Sequence, residues 1–260
     1  MRVVTLGEGA PDVGVVVCVH GDEPCGERAL DRFLADDVPV QRPVKFVVAN
    51  ERALEAGTRF VDEDLNRAFP GDPDADSHEA RLAAALLDEL AGLDVLDLHA
   101  TRSTPEPFAL YQRLTPGTRR VLRRAGVERA VDIGAVPGGL TEFVDGAAVE
   151  CGFVGTDAAV DTAERVLRNY LAAAGVVDAP FELADPTVFE VTDTVAGSGY
   201  EFVAENFVEV AAGEVFARRG DDARRAADPF YPVLMSTDGY EDVVGFAARR
   251  LGPLSVLEDE

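Results

Sequence analysis

Residues 13–23 read VGVVVCVHGDE, from Val13 through His20 to Glu23. The opening seven residues carry no polar side chain and are rich in valine, the pattern of a strand buried on both faces. After Pro24, apolar positions recur at helical spacing at Ala29, Leu30, Phe33 and Leu34, so the strand feeds a helix. The polar His20-Gly21-Asp22-Glu23 therefore lies where open α/β sheets gather ligands, at the carboxyl end of a strand.

Working outward, Val44–Asn50 (VKFVVAN) is a second buried strand, followed by a stretch rich in Arg, Asp and Asn up to Phe69, Pro70 and Gly71. So many polar side chains on irregular backbone mark a functional loop, because buried polar groups must be satisfied. Ser77–Leu90 opens with a helix-start pattern, Asp76 or Ser77 before Glu79, and places Leu82, Leu86, Leu87 and Leu90 on one face. Strands are expected at Leu93–His99, Phe108–Gln112, Ala130–Gly134 and Ala147–Cys151, with helices at Pro116–Ala125 and Thr156–Ala173. This alternation predicts an α/β domain, a mixed sheet covered by helices on both faces. Beyond Gly175 the chain turns to short alternating runs broken by Gly, Pro and Asp, which predicts a small β-rich C-terminal domain. The expected division is a catalytic α/β domain over residues 1–176 and a β-rich domain over 177–260.

Composition removes several function classes. The 48 acidic residues against 24 Lys and Arg leave a net charge of −24, which argues against a nucleic-acid partner. The acidic residues are spread between apolar segments, which is unlike a disordered tail and fits a surface adapted to a salt-rich, halophilic cytosol. No stretch approaches the roughly 18–20 apolar residues of a membrane span, and the N-terminus lacks the charged region and cleavage site of a secretory signal, so a cytoplasmic protein is expected. Three cysteines, Cys18, Cys25 and Cys151, form no CxxC pair and are expected to be reduced and buried.

The chain contains three histidines, His20, His78 and His99. Two of them end apolar strands beside acidic residues, whereas His78 opens a helix and reads as a surface residue. A histidine at a strand end and a glutamate three positions later can face one point, and Gly21 between them lets the backbone bend. With His99 they make a three-ligand N/O set that leaves a fourth zinc position open, the pattern of a catalytic ion. Glu150 lies near the end of the apolar strand AAVEC, where a buried carboxylate is costly unless it faces a metal site or a cleft.

The residues HGDEP from His20, TRFVDEDLNRAFPG over 58–71 and DLHAT over 97–101 together resemble three sequence blocks of the succinylglutamate desuccinylase/aspartoacylase family, within the zinc carboxypeptidase-like superfamily. The resemblance covers roughly residues 10–175. It implies one zinc ion per chain, held by His20, Glu23 and His99, and hydrolysis of the amide bond of a small-molecule N-acyl amino acid by metal-activated water. In that reading Glu150 is the general base, Arg59 polarises the scissile carbonyl, and Asn66 with Arg67 grips a carboxylate. Tyr240, in DGYED, matches a family tyrosine near the substrate, with Tyr231 its competitor. Residues 137–150, PGGLTEFVDGAAVE, lack the arginine by which aspartoacylases hold aspartate, and Thr141–Phe143 is closer to the desuccinylase side. Two rivals share these residues, a metallocarboxypeptidase acting on a peptide C-terminus and a non-catalytic zinc or acyl-amino-acid binding protein. The oligomeric state is left open, a homo-oligomer included.

Overall fold

A computed structural model of the chain describes residues 1–237, 239 and 242–258. Ten strands form one sheet: β1 (Arg2–Leu6), β2 (Val13–Val17), β3 (Val44–Val48), β4 (Asp94–Thr101), β5 (Phe108–Tyr111), β6 (Arg129–Asp132), β7 (Asp145–Phe153), β8 (Thr187–Ala196), β12 (Tyr231–Val233) and β13 (Val243–Pro253). Their order is β1-β3-β2-β4-β7-β5-β6-β8-β13-β12. β3, β2, β4 and β7 run parallel, β5 is antiparallel to β7, and the sheet is therefore mixed, as expected. A separate three-stranded antiparallel sheet holds β9 (Glu201–Phe202), β10 (Val215–Arg219) and β11 (Asp222–Arg225). Residues after 176 thus supply both this small sheet and three strands that extend the large one past β6.

Alternation along the strands divides the core between the two faces. Val15 and Val17 of β2, Leu96 and Leu98 of β4 and Val149 of β7 face α1 (Cys25–Ala35), α5 (Pro116–Ala125) and α6 (Asp157–Ala173). Val16 and Val95 point the other way, against Leu82, Leu86 and Leu90 of α4 (His78–Leu90). α4 starts where its capping pattern places it, with the Ser77 hydroxyl accepting from the Ala80 N–H at 3.3 Å. The polar stretch after β3 is less irregular than its composition suggests. It contains α2 (Glu51–Ala56), capped by Asn50, and the single turn α3 (Leu65–Ala68), capped by Asp64. Capping side chains replace an apolar stripe as the source of order there, so periodicity misses both.

β2 leads to β3 on one side and the sheet resumes through β4 on the other, so the strand order reverses between β2 and β4. That reversal opens a crevice at the carboxyl ends of these strands, and His20 and His99 lie on its two sides. No helix among the described residues is long and apolar enough to cross a membrane.

Candidate metal centre and active site

β2 ends at Val17, three residues before His20. Cys18 adopts φ 57°, a left-handed conformation that costs a non-glycine residue about 1–2 kcal/mol. Gly21 is required by contact more than by bending. A Cβ there would stand 2.1 Å from the Ala53 carbonyl carbon, and its N–H donates to the Arg59 carbonyl at 3.2 Å. The turn is thereby clamped to the segment that carries Arg59.

His20, Glu23 and His99 converge, with one donor atom from each lying within 4.8 Å of the others. Nδ1 of His20 is 3.1 Å from Glu23 Oε1, and Nδ1 of His99 is 2.9 Å from Glu23 Oε2. Donors of a tetrahedral zinc stand roughly 3.3 Å apart, so these separations fit one ion with little movement. The opposite ring nitrogens are held by carboxylates. Nε2 of His20 meets Asp64 Oδ1 at 3.0 Å, and Nε2 of His99 meets Asp97 Oδ2 at 2.7 Å. Such outer carboxylates orient metal-binding imidazoles and raise their basicity. The donor chemistry and its support both fit a zinc ion.

The electrostatics point the same way. Burial alone lowers the His99 pKa, but the Asp97 carboxylate, followed by Glu23, outweighs it and holds the ring well above its ordinary value. For His20 burial is likewise overcome, by Glu23 and Asp64. Burial pushes Glu23 up, while the two imidazoles pull it well below the usual carboxylate range. A buried cluster that holds protons this firmly is one in which a divalent cation can replace them.

Glu150 stands beside this cluster. In the parallel register of β4 and β7 it is the partner of His99, and Ala148 is the partner of Asp97. Its side chain is buried, and Oε2 has no hydrogen-bond partner among the described residues. Burial, reinforced by Glu23 and only partly offset by His99, raises its pKa to about 7. A buried carboxyl with an unsatisfied oxygen beside a metal-type cluster is suited to exchange protons with a ligand.

Arg59 reaches in from the loop after α2. Its Nη1 donates to Glu23 Oε1 at 3.0 Å and its Nε to Asp64 Oδ2 at 3.1 Å. Asn66 and Arg67 line the same cavity of about 720 Å³ as His20, Glu23, Arg59, His99 and Glu150. Arg67 is exposed, its Nη1 donates to the Asn66 carbonyl at 2.7 Å, and among the described residues no carboxylate pairs with it. Tyr240 lies outside the described residues. Tyr231 donates to Glu209 at 3.0 Å and packs edge-on against Phe189, so its hydroxyl is committed elsewhere.

Two features differ from the sequence reading or escaped it. His78 is not a bland surface residue, because its N–H donates to Asp62 and its Nε2 meets Asn50 Oδ1 at 3.2 Å. Glu79 is fully buried and accepts from the N–H groups of Val61, Asp62 and Glu63 at 2.7, 3.0 and 3.3 Å, and from Asn50 Nδ2 at 2.9 Å. One carboxylate thus fixes the backbone between Arg59 and Asp64. A cap-like Glu was visible in the sequence, but its partners were not. Asp97 left a clearer trace, as a carboxylate in the middle of an apolar strand.

Residues 10–141 match the model of the succinylglutamate desuccinylase/aspartoacylase catalytic domain. Succinylglutamate desuccinylase of Pseudomonas fluorescens is 33% identical over 108 residues, covering 36% of this chain and 32% of that protein. The Ectopseudomonas mendocina enzyme of the same name is 32% identical over 131 residues, covering 42% and 39%. The matched stretch therefore spans only about a third of the length of these relatives. Two solved structures share the fold at low identity. The ectoine utilization protein EutE (DoeB) of Ruegeria pomeroyi superposes with a TM-score of 0.76 at 22% identity, covering 95% of this chain and 88% of that one. A succinylglutamate desuccinylase/aspartoacylase of Rhodobacter sphaeroides gives 0.76 at 19% identity, with the same coverage. With half of its length matched by the family model and its fold shared with these structures, the chain belongs to the succinylglutamate desuccinylase/aspartoacylase family.

Proposed function

We propose that this chain is a zinc-dependent hydrolase that cleaves the amide bond of an N-acyl amino acid. The observation that carries the reading is the pairing of His99 with Glu150 on adjacent strands, which sets a carboxyl of pKa about 7 beside a three-donor metal cluster. When bound by His20, Glu23 and His99, the ion supplies Lewis acidity toward water and toward a carbonyl.

The remaining work falls to side chains of the protein. Glu150, as carboxylate, takes a proton from the attacking water and returns it to the departing amine nitrogen, so it acts as base and then as acid. Arg59, fixed between Glu23 and Asp64, directs a guanidinium at the oxygen of the scissile carbonyl, where negative charge develops. Arg67 binds the substrate carboxylate through its planar fork, which is not consumed by a protein carboxylate, and Asn66 adds an amide donor beside it. The cavity of about 720 Å³ is the size of a small-molecule site, which favours an N-acyl amino acid over a polypeptide.

Zinc-loaded protein in concentrated KCl, a medium suggested by its acidic composition, is incubated with a panel of N-acyl amino acids and short peptides. Release of free amino acid from the acylated members, lost in Glu150→Gln, supports the reading. Inertness toward every member of the panel overturns it, and cleavage of peptides alone reassigns the site to a carboxypeptidase.

A further inference from the structure

The cavity has two unlike ends. On the side of Arg59 and Arg67 it is strongly polar. On the other side of Glu150, away from His99, the register continues into apolar residues: Ala148 of β7 pairs with Leu110 of β5, and Leu110 pairs with Val131 of β6. Paired residues of neighbouring strands share a face, so Leu110 and Ala148 lie on the face that carries Glu150. The cavity wall there is made by Leu110, Ile133, Val136, Ala148, Leu234 and Phe246.

Leu234 adds an independent sign of purpose. It is buried with φ 53°, a conformation leucine avoids. Backbone strain of this kind persists where the surroundings enforce it, often at a ligand wall. Gln112 and Thr141, which also line the cavity, are spent on each other and on the Val136 carbonyl, at 2.9 and 2.6 Å.

The wall residues Leu110, Ile133, Val136, Ala148, Leu234 and Phe246 are all uncharged. The cationic lining residues are Arg59, Arg67 and Arg102, besides the two cluster histidines. Arg59 is engaged by Glu23 and Asp64, and Arg102 is exposed with Asp22 at 4.0 Å. A carboxylate carried into the apolar end would be desolvated without a partner, which is unfavourable.

We infer that the substrate carries its carboxylate at the Arg67 end and an uncharged, apolar substituent over Leu110, Ala148 and Leu234. This rests on the deacylase reading and narrows it: the substrate class is an N-acyl amino acid that is not a dicarboxylate at this end of the site. The apolar substituent is supplied either by the acyl chain or by the amino-acid side chain, and both sources share the same chemistry.

Binding separates these possibilities without turnover. Zinc-loaded Glu150→Gln protein is titrated calorimetrically with two matched pairs, N-pentanoylalanine against N-succinylalanine and N-acetylleucine against N-acetylaspartate. Removing the Glu150 charge biases the assay toward anionic ligands, so it is a stringent choice. The neutral member is expected to bind at least about ten-fold tighter in one pair, and the pair in which it does so identifies the source. Equal or tighter binding of the charged member in both pairs overturns this inference and leaves the deacylase reading standing. Absence of binding by all four ligands removes that reading and the inference with it.

Discussion

His99 and Glu150 are direct partners across the parallel strands β4 and β7. One contributes a nitrogen to the candidate metal cluster and the other presents an unpartnered carboxyl oxygen beside it. Their separation is therefore set by the hydrogen-bonded register of two adjacent strands and not by a loop. Replacing Glu150 with Gln keeps shape and register but removes the exchangeable proton. Turnover is expected to fall by about 10²–10⁴ while bound zinc stays at one per chain, as read by steady-state kinetics and metal analysis. Loss of zinc with activity would show that Glu150 acts as a ligand.

The same residue sets a pH dependence of stability in the zinc-free protein. Its carboxyl ionises near 4.5 in the unfolded chain and near about 7 when folded. Between those values the folded chain holds a proton that the unfolded chain has released, so stability falls as pH rises through this window. The loss is on the order of 3 kcal/mol. Chemical denaturation with a chelator present is expected to show a steeper decline between pH 4.5 and 6.5 in the wild type than in Glu150→Gln, while above that the raised imidazoles of His20 and His99 contribute a decline of the same sign to both.

Zinc uptake is expected to release protons. Both imidazoles are held above their ordinary pKa by the surrounding carboxylates, and each must lose its proton before it can bind an ion. Calorimetry at pH 7 in buffers of different ionisation enthalpy measures the number released. A net release, growing as pH is lowered, is predicted, and none at all would contradict the direction of both shifts.

Asp97→Asn keeps a hydrogen-bonding group against His99 Nε2 but removes the charge, now 2.7 Å away. Zinc affinity is expected to weaken by about 10–100-fold, measured by competition with a chelator. Unchanged affinity would show that strand β4 alone orients the ring.

Glu79→Ala leaves three backbone N–H groups and Asn50 Nδ2 without their acceptor, at a cost of about 3 kcal/mol or more. Burial raises the Glu79 pKa, and these donors outweigh it and depress the value. Its stabilisation is therefore present above the unfolded carboxylate pKa and lost as pH falls through the folded one. Denaturant unfolding from pH 7 to acid should show an acid limb that the variant lacks.

The sequence disclosed the α/β core and the three converging side chains because both are local signals. Buried strands are unbroken apolar runs, and His20 and Glu23 follow the end of one such run while His99 lies near the end of another. What stayed hidden depends on which segments meet in space. Asp64 is 44 positions from His20, and Glu79 is 16 to 18 from the N–H groups it accepts. No periodicity reports such pairings. Gly21 looked like a hinge, but the contact that demands it is the backbone at Ala53. Likewise α2 and α3 are held by capping side chains on polar sequence, where an apolar stripe gives no cue.

The central claim is that His20, Glu23 and His99 share a single ion, and diffraction from zinc-loaded crystals at wavelengths on either side of the zinc absorption edge tests it most directly. One anomalous peak per chain is predicted, about 2.0–2.2 Å from Nδ1 of both histidines and from a Glu23 carboxylate oxygen. A peak elsewhere, or none among these three side chains in crystals that contain zinc, would contradict the account.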